Sequence, residues 1–178
     1  MSEAIETITL AGGCFWCVEA VFEQVRGVVD VQSGYSNGHL VSPTYEAVCA
    51  GNTGHAEVVR VRFDPARVGL ADLLRVFFAT HDPTTRNRQG ADIGPQYRSG
   101  IYWAEDSQQE VIARVLAEVN AELGGRVVTE VEALANYSAA EAYHQHYYAN
   151  NPSQGYCSAV IGPKLEKFRK VFKSRLTD

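Results

Sequence analysis

No stretch of this 178-residue sequence is apolar for long enough to span a bilayer, which argues against an integral helical membrane protein. Its first residues, Met1-Ser2-Glu3-Ala4-Ile5-Glu6, are acidic and lack the basic-then-apolar order of a signal peptide, so a cytoplasmic setting is expected. Cysteine is scarce. Four residues are too few to staple a chain of this length as a disulfide scaffold. In a reducing compartment they are inert core thiols, metal ligands or catalytic groups. An excess of positive charge is missing too: 16 Lys and Arg stand against 21 Asp and Glu, a formal net charge of -5. That balance gives no electrostatic reason to expect nucleic acid or an anionic membrane as a partner. Repeats, low-complexity runs and linkers are also absent. The expectation is a single domain over residues 1–178, large enough to bury a core.

The elements that are there alternate. Glu3 to Leu10 reads as a strand ending at Ala11-Gly12-Gly13. Val18, Val21, Phe22 and Val25 recur at helical spacing, and Gly27 closes that helix. Val28–Tyr35 and His55–Phe63 read as strands, with a polar loop over 36–54 between them. Gly69–Thr80 reads as an apolar helix, 81–96 as a second loop and Arg98–Trp103 as a strand. Ser107-Gln108-Gln109-Glu110 has the form of a capping box opening a helix, followed by a strand over Val127–Ala135. Ser138-Ala139-Ala140-Glu141 reads as a second capping box, opening a helix to about Ala149. Asn150 to Gly155 is a breaker run, and Lys164 to Arg175 is amphipathic and basic. Interspersed strands and helices predict a mixed α/β structure with helices packed on a sheet.

Cys14 is placed where a strand gives way to a helix. Gly12 and Gly13 let the chain turn there and leave the thiol uncovered. The helix N-terminus stabilises a thiolate, so a lowered pKa and a nucleophilic role are expected; the alternative is a buried core cysteine. Cys17 completes a C-x-x-C motif, which suggests redox chemistry or zinc. Zinc needs a full tetrahedral ligand set, and Cys49 and Cys157 lie far away in the chain. Phe15 and Trp16 line a small apolar pocket or simply fill the core. Alternation along 55–63 puts Glu57 on the face of Val59, Val61 and Phe63, with Arg60 and Arg62 opposite. A carboxyl on that face loses hydration, keeps its proton near neutral pH and serves as a general acid; the alternative is a strand-end glutamate reaching solvent. Tyr45 and Tyr97 are loop phenols able to donate to a substrate oxygen. Asp92 is a loop carboxylate that orients such donors or caps a turn. His144 and His146 sit on a helix and read as structural.

Gly13-Cys14-Phe15-Trp16 resembles the active-site signature of the peptide methionine sulfoxide reductase A family. Seven further blocks follow in the family's order: Gly34-Tyr35, Pro43-Thr44-Tyr45, Gly54-His55-Ala56-Glu57-Val58-Val59, His81-Asp82-Pro83-Thr84-Thr85, Gln89-Gly90-Ala91-Asp92-Ile93-Gly94, Gln96-Tyr97-Arg98-Ser99 and Tyr143-His144-Gln145. The resemblance implies a two-layer α/β sandwich on a ferredoxin-like plait with a mixed sheet, long loops and a C-terminal extension. It also implies Cys14 as nucleophile and Glu57 as acid. Tyr45, Tyr97 and Asp92 fall around the sulfoxide oxygen, and Phe15 and Trp16 around its methyl group.

The implied reaction is reduction of methionine-S-sulfoxide, in proteins and free, with a sulfenic acid left on Cys14. A second thiol then forms a disulfide that thioredoxin reduces. No metal or organic cofactor is implied, and the chain is expected to be monomeric. Cys157 matches a C-terminal resolving cysteine of many family members and follows the breaker run, so a Cys14–Cys157 disulfide is expected. Cys17 is the alternative, and a bond formed first with Cys17 and passed to Cys157 is a third route. The rivals are a general thiol-disulfide oxidoreductase using Cys14 and Cys17, and a zinc-binding module.

Overall fold

The computed structural model describes residues 4–173, so the expected strand start at Glu3 and helix end at Arg175 lie outside the described residues. β1 (Glu6–Gly12) opens the fold, with Ile8 and Leu10 fully buried on its helix-covered face. α1 (Phe15–Phe22) buries seven of its eight residues, as a helix apolar on nearly every side must. Gly27 turns the chain at φ +95 into β2 (Val28–Ser36), where a Cβ would meet Val68 at 2.6 Å.

The loop expected over 36–54 contains α2 (Tyr45–Cys49), started by Thr44, whose Oγ1 accepts the Ala47 N–H at 3.1 Å. Five residues are too few to show a helical period, which is why the sequence pattern did not reveal it. β3 (Ala56–Phe63) and α3 (Leu70–Ala79) follow as expected. The second loop holds a small hairpin of β4 (Arg88–Gln89) and β5 (Asp92–Ile93). Then come β6 (Ser99–Trp103), α4 (Gln108–Glu122), β7 (Glu130–Ala133), β8 (Ser138–Ala139), α5 (Tyr147–Asn150) and α6 (Gly162–Val171). A π-helical turn over Cys157–Ile161 leads into α6.

Neither capping box forms. The Ser107 side chain makes no cap bond; Gln108 Oε1 instead accepts the Ala104 and Glu105 N–H groups at 2.8 and 3.3 Å. Its Nε2 donates to the Thr7 carbonyl at 2.9 Å, which ties α4 to the sheet. Ser138 and Ala139 pair with Tyr35 and Gly34 on the open edge of β2 rather than starting a helix. Glu141 is drawn inward, where it accepts the Tyr35 O–H at 2.7 Å and the Tyr45 N–H at 2.9 Å. The tertiary partners outweigh a local capping preference.

The sheet order is β7-β6-β1-β3-β2-β8, parallel between β6 and β7 and antiparallel elsewhere. Its inner strands, β6-β1-β3-β2, with α1 and α3 as the crossovers, form a ferredoxin-like plait. Val59, Val61 and Phe63 of β3 join the main core under the helices. Ala56 and Val58 join a second cluster with Ala11 and Tyr102 on the other face. The register sets Leu10 of β1 opposite Val59, and Tyr35 of β2 opposite Glu57. The end of β1 and the start of β3 therefore meet at one end of the two central strands, and the chemistry-bearing residues gather there.

Candidate active site

Gly13 makes the turn from β1 into α1 at φ +93, and a Cβ there would lie 2.6 Å from Gln89 Cγ. Gln89 in turn clamps the Asp82 backbone, accepting its N–H at 2.7 Å and donating to its carbonyl at 2.9 Å. The loop after α3 is thus pressed against the turn that presents Cys14. The Cys14 carbonyl accepts the Cys17 N–H at 3.1 Å and so starts the helix. The Phe15 N–H, unused within the helix, donates to Glu57 Oε1 at 3.1 Å. Glu57 is 2% exposed, so it does not reach solvent. Burial pushes its pKa up to about 8 against the pull of the Phe15 N–H, with the charges of Asp92 and Cys17 adding to the rise. Near neutral pH this carboxyl holds a proton next to the thiol.

The thiols differ from the sequence expectation. Cys14 is not lowered: its pKa is pushed up because its proton is hydrogen-bonded to Cys17, because the site is desolvated and because Glu57's charge opposes a thiolate. The Trp16 N–H at the helix start pulls the other way and does not prevail. Cys17 is the lowered thiol, at about 7, because it accepts the bond from Cys14, with Lys164 and Tyr156 helping against burial. The C-x-x-C partner outweighs the helix end. All four cysteines are free. Cys157 is fully buried in the π-helical turn, with its N–H on Gln154 Oε1 at 3.1 Å, and it feels the charge of Cys17. Cys49 is exposed on α2 and hydrogen-bonds to the Tyr45 hydroxyl.

Aromatic side chains line the rest. The Phe15 ring lies 6.4 Å from Tyr45 and 5.7 Å from Tyr35. Trp16 lies flat against Tyr147 at 3.8 Å, and its Nε1–H donates to His144 Nδ1 at 3.1 Å. Burial raises the pKa of both Tyr45 and Tyr97, and the charge of Glu57 adds to each, so both phenols stay protonated as donors. Asp92 accepts the Tyr156 O–H at 2.8 Å, and the same hydroxyl lies 3.7 Å from Cys17 Sγ. The structure therefore brings Cys14, Phe15, Trp16, Cys17, Tyr45, Glu57, Asp92 and Tyr97 to one region. It adds Tyr156, His144, Tyr147 and Glu141, which sequence reasoning did not assign to the site. Tyr156, next to Cys157, and His144, inside a family-like block, carried the signals that could have found two of them.

Two other features border this region. A cavity of about 750 Å3 sits behind the Gly12–Gly13 turn, lined in part by His81, Gln89, Lys164 and Phe168. His81 there is half-buried and held neutral, lowered to about 4 by desolvation, with bonds to the Phe77 carbonyl and Ser99 Oγ. Among the described residues, Glu19, Glu23 and His146 are the one group whose ligand atoms come close enough for a metal ion. Both Glu19 oxygens are already engaged by backbone N–H groups, and no cysteine takes part.

Residues 6–176 match the sequence profile of the family described as peptide methionine sulfoxide reductase. The peptide methionine sulfoxide reductase MsrA of Chromobacterium violaceum is 51% identical over 174 residues, covering 97% of this chain and 99% of that protein. That of Thermus thermophilus is 51% identical over 171 residues, covering 96% of this chain and 97% of its own. The reduced form of Mxr1 from Saccharomyces cerevisiae superimposes with a TM-score of 0.80 at 37% identity, over 86% of this chain and 89% of that one. Mxr1 in complex with Trx2 gives 0.57 at 28% identity, over 80% and 84%.

Proposed function

The chain belongs to the peptide methionine sulfoxide reductase family, and from that membership we propose how its own residues reduce methionine-S-sulfoxide, free and in proteins. The observation that carries the proposal is the Cys14 thiol at the start of α1 beside a buried, protonated Glu57 bound to the Phe15 N–H. A sulfoxide has a positive sulfur and an electron-rich oxygen. The substrate methyl group sits against Phe15 and Trp16, which leaves the sulfur facing Cys14. The proton shared by the two thiols moves to Cys17, and Cys14 attacks the sulfur. Glu57 protonates the oxygen, with the Tyr45 and Tyr97 hydroxyls donating to it. The hydroxyl then passes from the substrate sulfur to Cys14 as the bond between the two sulfurs breaks, so methionine leaves with that electron pair and Cys14 keeps the oxygen as a sulfenic acid. Asp92, through Tyr156, holds the C-terminal segment over the site.

Cys17, already hydrogen-bonded to Cys14, condenses with the sulfenic acid and releases the oxygen as water. Cys157, buried beside Cys17, then attacks the Cys17 sulfur and frees Cys14 as a thiolate. Thioredoxin reduces the resulting disulfide by exchange; the Trx2 complex of the related Mxr1 supports that donor. The whole chain acts as one monomeric catalytic unit in a reducing cytoplasm. The thiols and the carboxyl account for every proton and electron pair without a cofactor.

A site that fixes the oxygen, the methyl group and the attacking thiol at three separate places accepts one configuration at sulfur. With racemic N-acetyl methionine sulfoxide and a dithiol reductant, the S epimer is consumed and the R epimer remains. Equal loss of both epimers would contradict the geometry.

A further inference from the structure

Glu19 is 1% exposed on α1, two residues past Cys17, and the mechanism above does not use it. Among the described residues no Lys or Arg is paired with it. Its two oxygens instead take backbone N–H groups from the far end of the chain: Oε2 from His146 at 2.9 Å and Oε1 from Tyr147 at 3.2 Å. Burial raises its pKa to about 7, so the carboxylate is held there against its own desolvation. His146 occupies the left-handed region at φ 54, which a side chain rarely adopts and which its neighbours must hold in place. Its ring is bonded to Glu23, the residue that follows α1. All three bonds at the start of α5 thus come from Glu19 of α1 and from Glu23 just past its end.

The consequence falls on Trp16. Tyr147, whose N–H Glu19 binds, lies against the indole at 3.8 Å and 9°, nearly parallel. The indole edge is held by His144 and met edge-on by Tyr156 at 6.0 Å, but its face rests on Tyr147. We propose that Glu19 is a positioning residue for the reaction: through the His146 and Tyr147 backbone it sets the Tyr147 ring, and through that ring the Trp16 wall of the pocket for the substrate methyl group. This rests on the reading of Trp16 as that wall. A group that shapes a binding pocket acts on the ground state and the transition state alike, so its loss moves KM rather than kcat.

The test uses the full chain with Trp103→Phe, so that Trp16 is the sole indole of the two in the sequence. In that background Glu19→Ala raises acrylamide quenching of Trp16. It also raises KM for N-acetyl methionine-S-sulfoxide on the order of tenfold or more, with kcat changed less than about threefold. Preference for the methyl sulfoxide over its ethyl analogue shrinks. Glu19→Gln, which keeps one acceptor oxygen, falls between wild type and Glu19→Ala. Tyr147→Ala reproduces the effects and adds little to Glu19→Ala, as for two steps of one path. Should Glu19→Ala fail to fold, Glu19→Gln and Tyr147→Ala carry the same readouts. Unchanged quenching in these variants, or a fall in kcat with KM and alkyl preference intact, overturns the role of Glu19 and leaves the pocket reading standing. A loosened indole with unaltered KM and alkyl preference overturns the pocket reading itself, and the functional role of Glu19 with it.

Discussion

Glu57 and Cys14 place opposite demands on pH. The carboxyl donates only while protonated, below about 8, and the thiol pair must have given up one proton, which happens above about 7. The rate of a single turnover should therefore rise through about pH 7 and fall above about pH 8, with a narrow maximum between. Glu57→Gln keeps the shape and a donor but has no proton to transfer. Its rate should drop on the order of 10²–10⁴-fold, the usual worth of general acid catalysis, and the fall on the basic side should vanish. Rapid-quench measurement of methionine release across pH 5.5–10 reads both features, a range of about four to five units centred on those two values. A loss under about threefold, or an intact basic limb in Glu57→Gln, would reduce Glu57 to a shaping role.

Glu57 was legible in the sequence because strand alternation alone puts it on the buried face beside Val59. The state of Cys14 was not. A helix start predicts a lowered thiol, and only the close approach of Cys17 shows why the charge settles one turn away. His144, Tyr156 and Glu19 owe their positions to contacts spanning 128, 139 and 127 residues, which no local pattern encodes.

Among the elements, the C-terminal segment carries Cys157, the thiol proposed to pass the disulfide on to thioredoxin. The breaker run before Cys157 suggests a loose arm that carries this thiol straight to Cys14. The structure instead seats Cys157 in a π-helical turn, fully buried, where it feels the charge of Cys17. Irregular helical turns of this kind are frequent at functional sites, and this one must open for exchange. Rapid acid quench and peptide mapping after one equivalent of sulfoxide should find Cys14 linked to Cys17 first, and Cys17 linked to Cys157 later. Cys157→Ser should still release one methionine per chain at the wild-type rate, hold the Cys14–Cys17 bond and slow with thioredoxin. A Cys14–Cys157 link at the earliest times, with none between Cys14 and Cys17, would restore the direct closure that the sequence suggests.

The long elements were readable from periodicity: β1, α1, β2, β3, α3, β6 and α4 appear where the pattern puts them, within two or three residues at their ends. The short ones were not. α2 is five residues long, and Ser138–Glu141 has a capping-box pattern that the free edge of β2 and the hydroxyl of Tyr35 override.

At the scale of the whole molecule, the plait brings a turn at the end of β1, a carboxyl near the start of β3 and a tyrosine 139 residues beyond Cys17 to one end of the central strands of a six-stranded sheet. No helix among the described residues is long and apolar enough to cross a membrane. The sequence carries a single methionine, Met1, so the chain offers almost no methionine of its own to compete with a substrate's. Reduction of the sulfoxide runs through one sulfur atom, and Cys14→Ser removes it while leaving Cys17, Cys49 and Cys157 in place. The direct measurement is methionine released in a single turnover when that variant is mixed with excess N-acetyl methionine-S-sulfoxide, with folding confirmed by circular dichroism. No methionine above the uncatalysed background is expected, because a serine hydroxyl near neutral pH supplies neither the thiolate nor the sulfur that takes up the oxygen. Release of one methionine per chain by Cys14→Ser would show that another thiol is the nucleophile and would contradict the account at its centre.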